Sequence, residues 1–109
     1  MSLDYNKAPS GVLKNAFDWI SRVPSGVWKG KPVAVITAAA GRTGGETAQY
    51  ILRASITAFG PRLITTSVVC LAQAGDQIDH NGRLTSEKDI TPVTALMAPL
   101  RPKLVLKIT

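Results

Sequence analysis

The residues best suited to bind a ligand lie in the stretch AAAGRTGGE, from Ala38 to Glu46. It follows the apolar run PVAVIT and precedes a helical pattern, so its glycines occupy a turn from strand to helix. Glycine tolerates positive φ and leaves room for a flat ligand, while Arg42 and the start of the helix supply donors. The turn therefore suits an electron-rich, carbonyl-bearing or anionic ligand, unless its glycines serve only tight packing.

The sequence contains few residues suited to nucleotide phosphate binding, side-chain catalysis or metal binding. Gly41, Gly44 and Gly45 do not fit G-x-G-x-x-G, and no Lys-Ser/Thr pair completes a P-loop. The single histidine, His80, stands in a polar turn, which favours a solvated loop residue. The single cysteine, Cys70, lies in an apolar run, which favours a small buried residue. We predict no catalytic side chain and no metal site.

Composition places the chain among small globular proteins. Its 109 residues are 45% hydrophobic, which allows one domain with a modest core. No apolar run approaches the roughly 20 residues of a membrane helix, and no basic-then-apolar signal opens the sequence, so we predict a cytoplasmic protein. The net charge is +6, but the cations are dispersed without interleaved aromatics, which favours a solvated surface over nucleic-acid binding.

Hydrophobic periodicity predicts three helices alternating with two strands. Strands joined by helices pair in parallel through right-handed crossovers, and ligands of such doubly wound sheets bind beyond the carboxyl ends of the strands. The glycine turn occupies one such end. The predicted elements are a helix over 10–22 with Val12, Leu13, Ala16, Phe17 and Ile20 on its apolar face, a strand over 32–37, a helix over 45–59, a strand over 62–71, a loop over 72–84, and a helix that starts at Pro92 with Thr91 as N-cap.

The segment DYNKAPSGVLKNAFDWIS, at 4–21, resembles the motif region of the NADPH-dependent FMN reductase family, where P-E-Y-N-x-S-I-P-G-x-L-K-N-A-I-D-W is typical. GKPV at 30–33, GRTGG at 41–45 and AQYILR at 48–53 are similar to the family's strand start, glycine turn and following helix, in the same order. The resemblance extends to about Leu100 and implies a flavodoxin-like fold.

The resemblance also implies flavin-binding residues. Tyr5 and Asn6 match the loop that cups one side of the flavin ring, whereas Asp4 stands where Glu is usual and Leu3 where Pro is usual. The glycine turn would border the polar edge of the ring with its backbone N–H groups. The candidate cofactor-binding residues are Asp4, Tyr5, Asn6, Ala39, Ala40, Gly41, Arg42 and Gly44.

Two further groups of residues match the family motif. One group is expected to hold the first helix and its loop together. The other lies on a helix that resembles the family's subunit interface, which implies a homo-oligomer, a dimer or a tetramer; for its tyrosine, a half-buried aromatic is an equal alternative. The first group is Lys14, Asn15, Asp18 and Trp19, and the second is Tyr50 and Arg53.

Set against the family pattern, the chain starts in the middle. The family begins with a strand and a Ser/Arg/Asn-rich turn for the FMN phosphate, and no residue before Asp4 can replace them. In the sheet order 2-1-3-4-5, what remains corresponds to strands 4 and 5, so the strand over 32–37 would expose an unpaired apolar edge. We predict one partial domain over 1–109, the C-terminal half of a doubly wound α/β fold, with 1–3 a cloning remnant or internal start and 101–109 unassigned.

The resemblance implies an FMN-dependent oxidoreductase in which NAD(P)H passes a hydride to FMN, and the flavin then reduces a small-molecule acceptor: a quinone, an azo compound, a metal oxyanion or free flavin. Charged hydrogen bonds contribute about 1.5–3 kcal/mol each, so loss of the phosphate turn would weaken FMN binding strongly. Two alternatives stay open: a non-catalytic α/β fragment that self-associates through its bare strand edge, and a weak basic binding module.

Overall fold

The computed structural model describes residues 4–5, 7–24 and 26–101, and it contains parallel strand pairs connected through helices. A short antiparallel hairpin precedes them. The elements are β1 (Asp4–Tyr5), β2 (Ala8–Pro9), α1 (Gly11–Ile20), β3 (Pro32–Val33), β4 (Ile36–Ala38), α2 (Glu46–Thr57), β5 (Arg62–Leu63), β6 (Val69–Leu71), α3 (Ala74–Gln77) and α4 (Glu87–Met97).

The predicted parallel pairing of the two strand regions is confirmed, but each region is divided into two short strands. β3 pairs with β5, and β4 pairs with β6, both in parallel. The interval between β5 and β6, residues 64–68, is longer than the interval between β3 and β4, so it bulges out of the ladder. The continuous strand predicted over 62–71 is therefore wrong in its middle, where the polar residues Thr65, Thr66 and Ser67 interrupt the apolar run.

Helices cover both faces of this small sheet. Val69 and Leu71 pack with the fully buried Leu96 of α4 in the hydrophobic core. The residue between them, Cys70, instead meets the side chain of Gln49 on α2. Successive side chains of a strand point to opposite faces, so α4 and α2 lie on opposite sides. The architecture is a three-layer α/β arrangement, as the sequence predicts.

Helix α1 forms where the sequence predicts it but buries little of its apolar face. Ser10 is the N-cap, and its hydroxyl oxygen accepts a hydrogen bond from the N–H of Leu13 at 3.1 Å. No residue of α1 is buried, and Val12 and Trp19 are 83% and 72% exposed. The expectation that Trp19 fastens the helix to its loop is therefore wrong. Phe17 provides the main inward contact, at 5.3 Å between ring centroids from Trp28.

The start of the last helix differs from the prediction. Helix α4 begins at Glu87 with Ser86 as its N-cap, not at Pro92 with Thr91 as the cap. The N–H of Ile90 donates to the carbonyl oxygen of Ser86 at 2.9 Å, which fixes the first turn. The turn also carries acidic residues, which interact favourably with the positive end of the helix dipole. Pro92 lies inside the helix, where it lacks one N–H donor.

The predicted loop over 72–84 is not wholly irregular. It contains α3, which begins three residues after the end of β6, and an isolated antiparallel bridge joins Ile78 to Leu84. The Asn81-Gly82 turn expected from the sequence closes this bridge, with the carboxylate of Asp79 accepting a bond from the N–H of Asn81 at 2.8 Å.

Candidate functional site

The glycine turn follows the carboxyl end of β4 and is bonded to the segment that follows β6. The N–H of Ala39 donates to the carbonyl oxygen of Leu71 at 3.1 Å, and the carbonyl of Ala39 accepts from Ala74 at 3.0 Å. The carbonyl of Gly41 accepts from the N–H of Gln73 at 2.9 Å. Three backbone bonds thus fix the turn at the rim where α/β proteins bind ligands.

Two of the glycines in the turn have different roles. Gly44 is buried with φ of +62°, and an added Cβ would lie 2.6 Å from the carbonyl carbon of Cys70 and 2.8 Å from the nitrogen of Ala72. Gly44 is therefore required for close backbone packing. Gly41 is exposed, and an added Cβ would meet nothing within 4 Å. The backbone at Gly41 faces open space, as access for a ligand requires.

The electrostatics of the turn favour a carbonyl edge over a phosphate. Gly45 is the N-cap of α2 in a left-handed conformation, and no side chain caps the helix. Arg42 is exposed and forms no ion pair with a described residue. Glu46, in the first turn of α2, offsets part of the positive end of the helix dipole. A neutral group with hydrogen-bond acceptors fits this balance better than a multiply charged anion.

The hairpin at the start of the chain packs against the same helix that the glycine turn leads into. Asp4 pairs with Pro9, and Tyr5 with Ala8. β2 lies against α2, so the hairpin and the glycine turn share one helix as support. Asp4 and Tyr5 are described by their backbone alone, and Asn6 lies outside the described residues.

A buried polar network beneath the turn was not predicted from the sequence. Gln49 is fully buried, and its amide nitrogen donates to the carbonyl of Val69 at 2.7 Å and to the hydroxyl of Thr37 at 3.1 Å. Arg53 donates to the amide oxygen of Gln49 at 3.1 Å and to the carbonyl of Ser67 at 3.2 Å. The network bonds α2 to both strand regions. Its sequence signal is the i, i+4 spacing of Gln and Arg within AQYILR.

The remaining candidates are placed as follows. Tyr50 is half exposed on α2, which is compatible with an interface residue and with a half-buried aromatic. Lys14 pairs with Asp18 at 2.7 Å within α1 instead of joining the helix to a loop. Among the described residues, no group of three or more His, Cys, Asp or Glu could hold a metal ion.

The three-layer α/β architecture and its glycine turn define a flavodoxin-like protein, and comparison with known proteins specifies which kind. The sequence model of the NADPH-dependent FMN reductases matches residues 4–76. Because this match covers more than half of the chain, the protein belongs to the NADPH-dependent FMN reductase family. The name of this family gives FMN and NADPH as the compounds with which its members act.

Individual relatives agree with this assignment. An NAD(P)H-dependent FMN reductase of Pseudomonas aeruginosa is 40% identical over 85 residues, which are 78% of this chain and 46% of that protein. A 2-hydroxy-1,4-benzoquinone reductase of a Burkholderia species is 40% identical over 86 residues, 77% of this chain and 46% of that one. The chain therefore spans about half the length of the curated relatives that it matches.

A solved structure supports the fold directly. FerB, a flavoenzyme NAD(P)H:(acceptor) oxidoreductase from Paracoccus denitrificans, superposes with a TM-score of 0.78 at 28% identity. The match covers 94% of this chain and 59% of FerB. The flavodoxin-like fold predicted from the sequence is thereby confirmed, and so is the family resemblance on which the prediction depends.

Proposed function

We propose that this chain forms part of an FMN-dependent NAD(P)H oxidoreductase whose acceptor is a small quinone. Bound FMN would supply the hydride chemistry, accepting from NAD(P)H and reducing the acceptor. The observation that carries the proposal is the turn at the carboxyl end of β4. Gly41 and Arg42 are exposed there, whereas Gly44 is packed against the backbone at the end of β6. A quinone is favoured over an azo compound, a metal oxyanion or free flavin because several relatives are quinone reductases.

The residues of the chain would bind and orient the flavin without exchanging protons. In the proposed arrangement, the backbone N–H groups of Ala40 and Gly41 and the guanidinium of Arg42 face the carbonyl edge of the ring. Ala39, whose N–H donates to the carbonyl oxygen of Leu71, holds the start of the turn in place. The hairpin that carries Asp4, Tyr5 and Asn6 would cover one face of the ring. The bonds from the turn to Leu71, Gln73 and Ala74 keep the donors in place before the ligand arrives, which reduces the entropic cost of binding.

Replacing Arg42 tests this site. The purified chain is titrated with FMN and followed by flavin fluorescence, and we expect Arg42→Ala to weaken binding about threefold to tenfold, as loss of one hydrogen bond does. Arg22→Ala, which removes an exposed arginine just after α1, is the control and should bind as the unchanged chain does. An unchanged chain that binds no FMN contradicts the proposal, and binding without NAD(P)H oxidation identifies a site for flavin alone.

A second candidate function is a non-catalytic fragment that self-associates, and the exposed surface of α1 favours it. Val12 and Trp19 leave an apolar face uncovered. Within the described residues, β4 pairs on one side alone, with β6. Bare parallel strand edges and apolar faces of this kind drive association. The family resemblance independently implies a homo-oligomer, so we propose self-association in either case.

The oligomeric state provides the second test. Sedimentation of the chain should give a mass that is twofold or fourfold the 11.6 kDa of one chain. Trp19→Glu should shift the chain toward the monomer, because it places a charge in the contact. Trp19→Phe, which keeps an apolar ring at the same position, is the control and should leave the oligomer intact. A monomer at all concentrations rules out self-association, and an oligomer that binds no flavin favours the non-catalytic fragment.

No helix in the described part of the chain has the length and apolar character needed to cross a bilayer. We further propose the cytoplasm as its location, since NAD(P)H is available there as reductant.

A further inference from the structure

Backbone strain in the described residues occurs in the hairpin assigned to the flavin and in the segment that is bonded to the glycine turn. Outside glycine, positive φ occurs at Lys7, with φ of 65°, and at Gln73, with φ of 49°. Lys7 lies in the turn of the β1–β2 hairpin, and Gln73 lies two residues after the end of β6, directly before α3. Such conformations are unfavourable for residues that carry a Cβ, and they concentrate at functional sites.

Gln73 is attached directly to the glycine turn. Its N–H donates to the carbonyl oxygen of Gly41 at 2.9 Å, and its own carbonyl accepts from the N–H of Asp76 at 2.9 Å. These two bonds hold the residue between the turn and α3. The side chain is exposed, and its carboxamide bonds to no described residue. Gln73 therefore carries an exposed, unpaired polar side chain on a residue whose backbone is bonded to Gly41.

The chemistry of a carboxamide matches one particular part of the ligand. It carries a donor and an acceptor side by side. The pyrimidine edge of a flavin offers an N–H group flanked by two carbonyl oxygens, so the two can form a pair of parallel hydrogen bonds. Glycine or asparagine would suit the left-handed backbone better at this position. A ligand contact explains why the chain carries the longer glutamine there.

We propose that the carboxamide of Gln73 binds the pyrimidine edge of the flavin ring. This inference rests on the proposed function and adds a residue that the sequence motifs do not mark. The bond from the N–H of Gln73 to the carbonyl oxygen of Gly41 ties the position of this residue to that of the turn.

The experiment separates the side chain from the backbone strain. The unchanged chain, Gln73→Gly and Gln73→Ala are titrated with FMN and with lumiflavin, which has the ring without the phosphate chain. We expect both variants to bind both flavins about threefold to tenfold more weakly. Gln73→Gly should also raise the melting temperature by several degrees, because it relieves the strain. Gln77→Ala, a change in a neighbouring glutamine of α3, is the control and should not alter binding.

The outcomes are distinct. Unchanged affinity of Gln73→Gly for both flavins overturns the inference and leaves the strain as a consequence of the tight link between β6 and α3. Weakening with FMN alone also overturns it, because the contact would then be to the phosphate chain. If the unchanged chain binds neither flavin, the proposed function fails and this inference fails with it. Binding by the unchanged chain, together with unaffected variants, refutes the inference alone.

Discussion

Gly44→Ala is expected to lower the free energy of unfolding by about 2–5 kcal/mol, which combines the cost of a left-handed alanine with that of overpacking. The added Cβ would lie 2.6 Å from the carbonyl carbon of Cys70 and 2.8 Å from the nitrogen of Ala72. Both are backbone atoms, so no side chain can rotate away to make room. The change would separate the turn from β6, and the clash adds to the strain of a φ of +62°.

Urea unfolding followed by circular dichroism measures this loss. A matched control stands in the same turn: Gly41→Ala adds the same methyl group where nothing lies within 4 Å. We expect the control to change stability by no more than about 1 kcal/mol, in either direction. Equal losses in the two variants would show that the packing of Gly44 against β6 is not as the structure describes it.

Gln49→Leu is expected to cost about 2–4 kcal/mol, because it removes a buried amide and each of its hydrogen-bond partners loses one bond. The carbonyl of Val69 and the hydroxyl of Thr37 each lose a donor. The guanidinium of Arg53 loses its acceptor on α2 and keeps its contact to Ser67. Leucine fills nearly the same volume, so the loss measures the polar contacts more than a cavity.

The same unfolding measurement applies, with Gln77→Leu as the control. Gln77 is half-buried on α3, and its side chain forms no hydrogen bond with a described residue, so its replacement should be nearly neutral. Arg53→Met and the double variant extend the test. If the pair acts as one network, the double variant should be less destabilised than the sum of the single variants. Additive losses would refute the coupling of the two side chains.

Local sequence signals predicted most of the fold. The start of α1 directly after Ser10, and the positions of β4 and α2, follow from patterns that extend over only a few neighbouring residues. The predicted start of α4 is wrong because proline is strongly favoured at the first position of a helix, which makes Pro92 a misleading local signal. Ser86, with acidic residues after it, is a competing signal, and the burial of Leu96 against β6 favours the longer helix.

The interruption between β5 and β6 shows what a local pattern cannot decide. Thr, Val and Ile over 62–71 are typical of a continuous strand. Within the interruption, the carbonyl of Ser67 instead accepts a bond from Arg53 on α2, a contact between distant parts of the sequence. The pairing partners of a buried polar side chain become evident only once the helix has been placed on the sheet.

The glycine turn was predictable from the sequence in its position between a strand and a helix, whereas its contacts were not. Glycines and an arginine between a strand and a helix indicate a ligand turn from sequence alone. Whether a given glycine is packed against backbone or faces open space depends on Cys70 and Ala72. These residues lie in β6 and directly after it, far from the turn in sequence. The role of Gln73 depends likewise on its backbone angles, for which the sequence carries no signal.

Within the turn, the residue needed for folding is different from the residues that would contact a ligand, so the fold and the chemistry can change independently in evolution. The position that keeps the chain folded, Gly44, faces inward, whereas the positions that would meet a ligand, Gly41 and Arg42, face outward. Substitutions can therefore accumulate at the outward positions without unfolding the protein. A descendant of such an enzyme can lose its reaction in few steps and persist as a scaffold for a different role.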